Sequence, residues 1–520
     1  MDTATLQQLC RPEAFPHPAV DIDLRETHIS WVILSGEYAY KIKKPLDLGF
    51  LDFSTLALRR HFCEEELRLN RRFSPELYLD VLPITGDAGG PRLDGDGPVI
   101  DYAVKMRRFD EDQLLDNVAA RGELDERLIR ALGRELARLH GELPRCHPDP
   151  EGTGAGTPAA LEKALEQNFR QIREYPLGAT ESRQLEAVEK WTRERYAALL
   201  PTMKLRVVNG WVIDGHGDDH LGNIALIDGQ VRLFDCIEFN ADFRIIDSIG
   251  EIALLTMDLD ARDHPAESHR LLTDYLEYRG DYDGLILLDL YRSYYAMVRA
   301  KVNLLREPRD HPDLVATDAY QELCRYLELA RSYCRPPRNY LAITHGVSGS
   351  GKSTVAGKLV AASGAVRIRS DVERKRLFGL APEERSRPED EASLYSPDMT
   401  RRTFTRLEEL AALIITAGFP VIVDATFLHR AVRGAFQELA ERLHVPYVIL
   451  DCVASPDALR ERLAARDRHR QDASEAGIAI MERQLAQREP LSGEELCSRV
   501  EMDSGEDAGN LWQRVEELTH

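Results

Sequence analysis

Apolar and polar positions change period several times along the chain, and those changes divide it. Ile29–Leu34 and Tyr38–Lys43 are β-rich runs on either side of the turn Ser35-Gly36-Glu37, which predicts paired strands. From Ser54 to Arg72 the period becomes helical, with Leu58, Phe62 and Leu69 on one stripe. A turn-rich excursion over residues 85–97 leads into a predicted strand, Val99–Phe109. Ile129, Leu132, Leu136, Leu139 and His140 give residues 128–143 a helical face. After a glycine- and proline-rich loop (147–158), helices are predicted over about 159–174 and 181–200. Ile224–Ile227 and Val231–Leu233 flank Asp228-Gly229, the pattern of a tight hairpin. Helices then run to about Tyr333 and stop at Arg335-Pro336-Pro337-Arg338, where consecutive prolines break the helix. Beyond this linker, strands are predicted at Tyr340–Thr344, Val366–Ile368, Val421–Asp424, Tyr447–Val453 and 500–503. The expected organisation is therefore two domains, 1–334 and 339–520, joined by 335–338.

Composition narrows the class. At 520 residues the chain is too long for a single core. A net charge of −21 disfavours nonspecific binding to nucleic acid or to an anionic membrane. Eight cysteines show neither metal-ligand spacing nor a disulfide pattern, as expected of reduced thiols. No apolar run approaches the ~18 residues of a membrane span, and Met1-Asp2-Thr3-Ala4-Thr5 lacks a signal pattern. A cytoplasmic location is the expectation.

Candidate chemistry centres first on residues 215–235. Phosphoryl transfer to a hydroxyl needs a carboxylate to orient the acceptor and two further oxygen ligands to hold magnesium. Asp218 and Asn223 have the Asp-x-x-x-x-Asn spacing of a kinase catalytic loop, and Asp235, across the hairpin, stands where a second metal ligand belongs. His216-Gly217-Asp218-Asp219-His220-Leu221-Gly222-Asn223, followed by an apolar-flanked Asp, resembles the aminoglycoside phosphotransferase-like kinases. That resemblance implies a lysine on the third strand contacting the nucleotide; Ala39-Tyr40-Lys41 matches best, with Lys43 as the alternate. The run Cys63-Glu64-Glu65-Glu66 would supply that lysine's carboxylate, and Glu65, nearest the apolar stripe, is favoured. The resemblance also implies that Asp247 supports the catalytic loop from below. One departure is clear: Leu24–His28, where a nucleotide-covering loop would lie, contains no glycine.

The second centre is Gly346-Val347-Ser348-Gly349-Ser350-Gly351-Lys352-Ser353-Thr354, a complete phosphate loop between a predicted strand and helix. Its backbone N–H groups can wrap phosphates, Lys352 can reach the β- and γ-phosphates, and Ser353 offers a magnesium ligand. Asp424 ends a buried strand, a position that often helps order the metal. Ser370-Asp371-Val372-Glu373-Arg374 resembles the polynucleotide kinase, zeta-toxin and gluconate kinase group. From that group Asp371 takes the role of general base and Arg374 that of substrate holder. Arg462 and Arg466 resemble the arginines of that group's lid, which closes over the transferring phosphoryl group.

Both halves thus resemble kinases, and their pairing resembles bacterial proteins described as bifunctional aminoglycoside phosphotransferase/ATP-binding proteins, also labelled AAA family ATPases. The implied fold is a protein kinase-like α+β domain followed by an α/β P-loop domain with a parallel sheet. The implied cofactors are ATP and Mg2+, and the partners are small hydroxylated acceptors; no oligomeric state follows. The competing expectation is a nucleotide-regulated binding protein in which only the C-terminal domain is catalytic.

Overall fold

The computed structural model describes residues 1–519 except Phe50, Ala88, Gly89, Pro337, Pro388 and 470–476. It also leaves out the side chains of Asp87, Glu391 and 465–469. Two compact units emerge from the packing. One comprises 1–124, 139–167 and 200–255; the other comprises 125–138, 168–199 and 256–520. The linker at 335–338 divides the sequence, but the packing divides the chain elsewhere: helices before the linker belong to the same unit as the C-terminal sheet.

In the first unit, β1 (Asp23–Glu26), β2 (Ser30–Ser35), β3 (Tyr38–Lys43), β4 (Tyr78–Asp87), β5 (Gly90–Leu93) and β6 (Val99–Arg107) form an antiparallel sheet. Its order is β1-β2-β3-β6-β4-β5. Strand alternation separates the faces of β3. Tyr40 and Ile42 join Ile33, Leu82, Ile84 and Ala103 in one core, while Lys41 and Lys43 point to the other side. That other side carries the helix Leu56–Asn70, whose Cys63 packs with Leu77, Tyr78 and Val104. Further along, β7 (Val212–Asp214) pairs with β10 (Ile245–Asp247), and β8 (Ile224–Ile227) with β9 (Gln230–Leu233). The predicted turn is present: Asp228 and Gly229 have φ of 51° and 74°, the left-handed pair that a two-residue hairpin with strand-like twist requires.

The second unit holds a five-stranded parallel sheet of β11 (Leu341–His345), β12 (Val366–Arg369), β13 (Val421–Asp424), β14 (Tyr447–Cys452) and β15 (Arg499–Met502). The order is β12-β13-β11-β14-β15, so the phosphate-loop strand is central. β11, β13 and β14 are buried throughout save Tyr447, as parallel strands covered on both faces must be. Val355, Ala356 and Leu359 of the helix Lys352–Ser363 pack with Ala342, Ile422 and Val448 and with Leu511 of the helix Ala508–Thr519. Among the described residues, no helix is long and apolar enough to cross a membrane.

Candidate functional sites

In the first unit the strand lysines meet a cluster of buried acids. Lys41 Nζ lies 2.8 Å from Glu66 Oε1 and also bonds Asp235; Lys43 Nζ lies 2.6 Å from Glu66 Oε2 and also bonds Glu238. Burial alone would raise the Glu66 carboxyl, but the two ammonium groups outweigh it and bring it down to about 2. Burial works against the charge on Lys41 as well, yet Asp235, Glu66 and Glu238 hold it well above the usual lysine range. The expected carboxylate partner, Glu65, is corrected to Glu66. Glu65 is half-buried and pairs with the exposed Arg68, 2.7 Å away. The helix buries Arg59, Cys63, Glu66, Leu69 and Asn70, most of them polar; of the apolar stripe of Leu58, Phe62 and Leu69, which pointed to Glu65, only Leu69 is buried and the other two are half-buried. Hydrophobic periodicity therefore selected the wrong phase.

The residues of the candidate catalytic loop lie together. Asn223 Nδ2 donates to the Asp218 carbonyl (3.0 Å) and to Asp218 Oδ2 (3.2 Å). His220 Nε2 lies 3.5 Å from the same carboxylate oxygen, which remains accessible. Asn223 opens the hairpin, its carbonyl accepts from the Phe234 N–H at 3.0 Å, and Asp235 follows directly. The hairpin thus brings together two side chains twelve positions apart. Asp235 adopts φ 63° and its N–H donates to Tyr78 Oη at 2.9 Å. Asp218, Asn223, Asp235 and Lys41 form a set of oxygen donors and a cation suited to a metal–nucleotide complex.

Support from below comes from Glu251, not from Asp247. Glu251 Oε1 accepts from the backbone N–H groups of His216 (2.5 Å) and Gly217 (2.8 Å), and Oε2 lies 3.0 Å from His140 Nε2. Asp247 instead makes a buried two-point pair with Arg206, both contacts at 2.7 Å. A Cβ on Gly217 (φ 83°) would come within 2.8 Å of the Phe243 carbonyl oxygen, so the loop passes where only glycine fits. His216 Nε2 lies 2.9 Å from the Phe234 carbonyl and its Nδ1 3.0 Å from Asp219. Burial, with Glu251 and Asp218 nearby, pushes the Asp219 carboxyl well up, while burial lowers His216. The loop accordingly rests on a buried layer of His140, His216, Asp219 and Glu251.

In the second unit the phosphate loop has left-handed glycines at 346, 349 and 351 (φ 144°, 86° and 93°). A Cβ on Gly346 would approach the Cys452 carbonyl to 2.7 Å, and one on Gly351 the Ser504 side chain to 2.7 Å. Lys352 Nζ donates to the Val347 carbonyl at 2.8 Å, and the Ser348 N–H donates to Gln484 Oε1 at 2.7 Å. A cavity of about 1030 Å³ is lined by Lys352, Ser353, Asp371, Arg374, Asp424 and Arg462 together. Ser350 is buried in the loop, and Thr354 follows Ser353 on the cavity wall. Arg462 Nη1 would lie 3.4 Å from a Cβ on Gly351, placing this guanidinium beside the phosphate loop. The side chain of Arg466 lies outside the described residues. Arg374 is anchored to the Leu394 carbonyl (3.3 Å) and Thr400 (3.1 Å), with its guanidinium 5.2 Å from the Tyr395 ring centre.

Among the cavity residues that escaped the sequence reading are Arg369, Arg483 and Gln484. Arg369 had a usable signal, since it ends a strand just as Asp424 does. The parallel register pairs these two residues, and Arg369 Nε lies 3.8 Å from Asp424 Oδ2. That oxygen is buried without a hydrogen bond, and Ser353 shares its cavity, an arrangement that fits a divalent cation.

Residues 341–491 match the family model described as an AAA domain. Over 490 residues the chain is 29% identical to uncharacterized proteins of Mycobacterium tuberculosis and Mycobacterium bovis, covering 93% of this chain and 94% of each relative. A solved gluconokinase from Sinorhizobium meliloti 1021 is 21% identical, covering 36% of this chain and 93% of that one (TM-score 0.25). A choline/ethanolamine kinase family protein from Mesorhizobium loti is 12% identical, covering 63% and 98% (TM-score 0.37). The geometry itself places a P-loop α/β fold at the C-terminal end of the chain. Ahead of it lies a kinase-like arrangement of antiparallel sheet, acid-bearing helix and catalytic loop.

Proposed function

We propose that this chain is an ATP- and magnesium-dependent phosphotransferase with two nucleotide sites, acting on hydroxyl groups of small-molecule acceptors. The observation that carries the reading is the C-terminal cavity, where phosphate-loop, metal-ligand, candidate base and arginine side chains line one space. There Lys352 and Arg462 would face developing charge on the transferred group, and Asp371 would take the acceptor proton, with Arg374 holding the acceptor. Magnesium, bound by Ser353 and Asp424, would supply positive charge against the phosphates. In the N-terminal site Asp218 would orient the acceptor hydroxyl, Asn223 and Asp235 would hold the metal, and Lys41 would steady the nucleotide.

A second reading keeps catalysis in the C-terminal half and makes the N-terminal site regulatory. Two observations favour it. Lys41 is shared between Glu66 and Asp235, and the β1–β2 turn, Thr27-His28-Ile29, carries no glycine to cover phosphates.

The two readings separate in one experiment. ATP consumption is followed over a panel of aminoglycosides, sugars, sugar acids and nucleosides, with wild type, Asp218→Ala and Lys352→Ala. Loss of different acceptors in the two variants supports two phosphotransferase sites. If only Lys352→Ala loses turnover, the N-terminal site is regulatory.

A further inference from the structure

A second cavity, of about 500 Å³, lies within the same unit as the phosphate loop. Ser353, Thr354 and Arg369 line both cavities, so the second adjoins the first at residues expected to meet the metal and phosphates. Its far wall is the helix Pro265–Arg279, which presents Arg270, Thr273, Asp274 and Glu277 at helical spacing.

The charges there do not cancel. Glu126 pairs with Arg130 at 2.8 Å, Glu383 with Arg134 at 2.5 Å, and Glu277 with Arg367 at 2.7 Å. Asp274 sits 3.9 Å from both Arg130 and Arg367. Every carboxylate lining the cavity therefore already faces an arginine. Arg270 does not: it lines the cavity half-buried, and among the described residues it has no ion-pair or hydrogen-bond partner. One turn along, Thr273 is only 2% exposed, and its hydroxyl has no hydrogen-bond partner. An unmatched cation and an unmatched buried hydroxyl on one helical face are the groups that an anionic ligand would satisfy.

We propose that this cavity binds a small anion carrying a phosphate or carboxylate group, held by Arg270 and Thr273. Its volume suits a small metabolite. Occupancy would reach the phosphate-loop site through Arg369, which lies 4.0 Å from Glu277 and 3.8 Å from Asp424. The site is thus an effector site beside the nucleotide cavity, and it stands whichever reading of the N-terminal half holds.

The test is calorimetric titration of the full chain with inorganic phosphate and, separately, with malonate, in the presence of saturating AMP-PNP and magnesium so that the phosphate loop is filled. We expect one saturable site for at least one probe, weakened about tenfold or more by Arg270→Gln and several-fold by Thr273→Val. Lys352→Ala, titrated without nucleotide, should retain it, which keeps the result independent of the kinase reading. Preference for phosphate over malonate, or the reverse, identifies the ligand class. Absence of a saturable site for both probes, or affinity unchanged in Arg270→Gln, overturns the proposal.

Discussion

At the scale of single residues, Glu66 carries the largest consequence. Its two oxygens each face an ammonium group inside the first unit, so removing its charge leaves Lys41 and Lys43 short of a partner. Glu66→Gln is expected to destabilise this unit by about 3–5 kcal/mol, the cost of breaking a buried pair. Glu65→Gln should stay within ~0.5 kcal/mol of wild type, because that half-buried side chain pairs with an exposed arginine one turn away. Urea midpoints of the two variants check both numbers. The pH dependence follows from the same pair. The folded-state carboxyl is depressed from 4.5 to about 2, so its contribution is complete above the ordinary value and fades as pH falls toward about 2. The stability gap between wild type and Glu66→Gln should therefore narrow across that acid window, and a constant gap would show that Glu66 is not held ionised by the lysines.

At the scale of elements, the candidate catalytic loop depends on a close approach that only glycine allows. Gly217 lies at φ 83°, with the Phe243 carbonyl and Arg244 Cα where a Cβ would go. Gly217→Ala must move the backbone that positions Asp218, at a cost of about 1–3 kcal/mol. Turnover that depends on Asp218 should fall at least tenfold, while turnover that depends on Lys352 should be unchanged. Equal losses in both would mean that the substitution unfolds the chain instead of displacing the loop. The hairpin β8–β9 acts on the same site differently: its tight turn, not a side-chain contact, carries Asp235 back to Asn223.

At the scale of the whole molecule, the C-terminal sheet shares its compact unit with the helix Pro265–Arg279, which precedes the linker. Arg367, on the edge strand β12, is 6% exposed and finds its carboxylate on that helix. A fragment starting at residue 339 would leave this guanidinium unpaired, and it is expected to be about 3–5 kcal/mol less stable than a fragment starting at residue 256. Denaturant unfolding of the two fragments measures the difference; equal midpoints would show that the helix adds nothing to the P-loop sheet.

Much of the chemistry was legible from local order alone. The phosphate loop, the Asp218–Asn223 spacing and the Asp228-Gly229 turn each depend on a short stretch of backbone, and short stretches carry their geometry in their own residues. The alternation of β3 also placed Lys41 and Lys43 on one face without knowledge of the opposite wall. What only the tertiary structure decided are the partners that meet across long sequence separations. Glu66 was hidden because the buried face of its helix is mostly polar, so apolar periodicity pointed one residue away. Glu251 supports the loop from 35 positions downstream of His216, and Glu277 meets Arg367 across 90 positions. In each case a charged side chain is buried because a distant group compensates it, and neither period nor spacing in the sequence records where that compensation will be found.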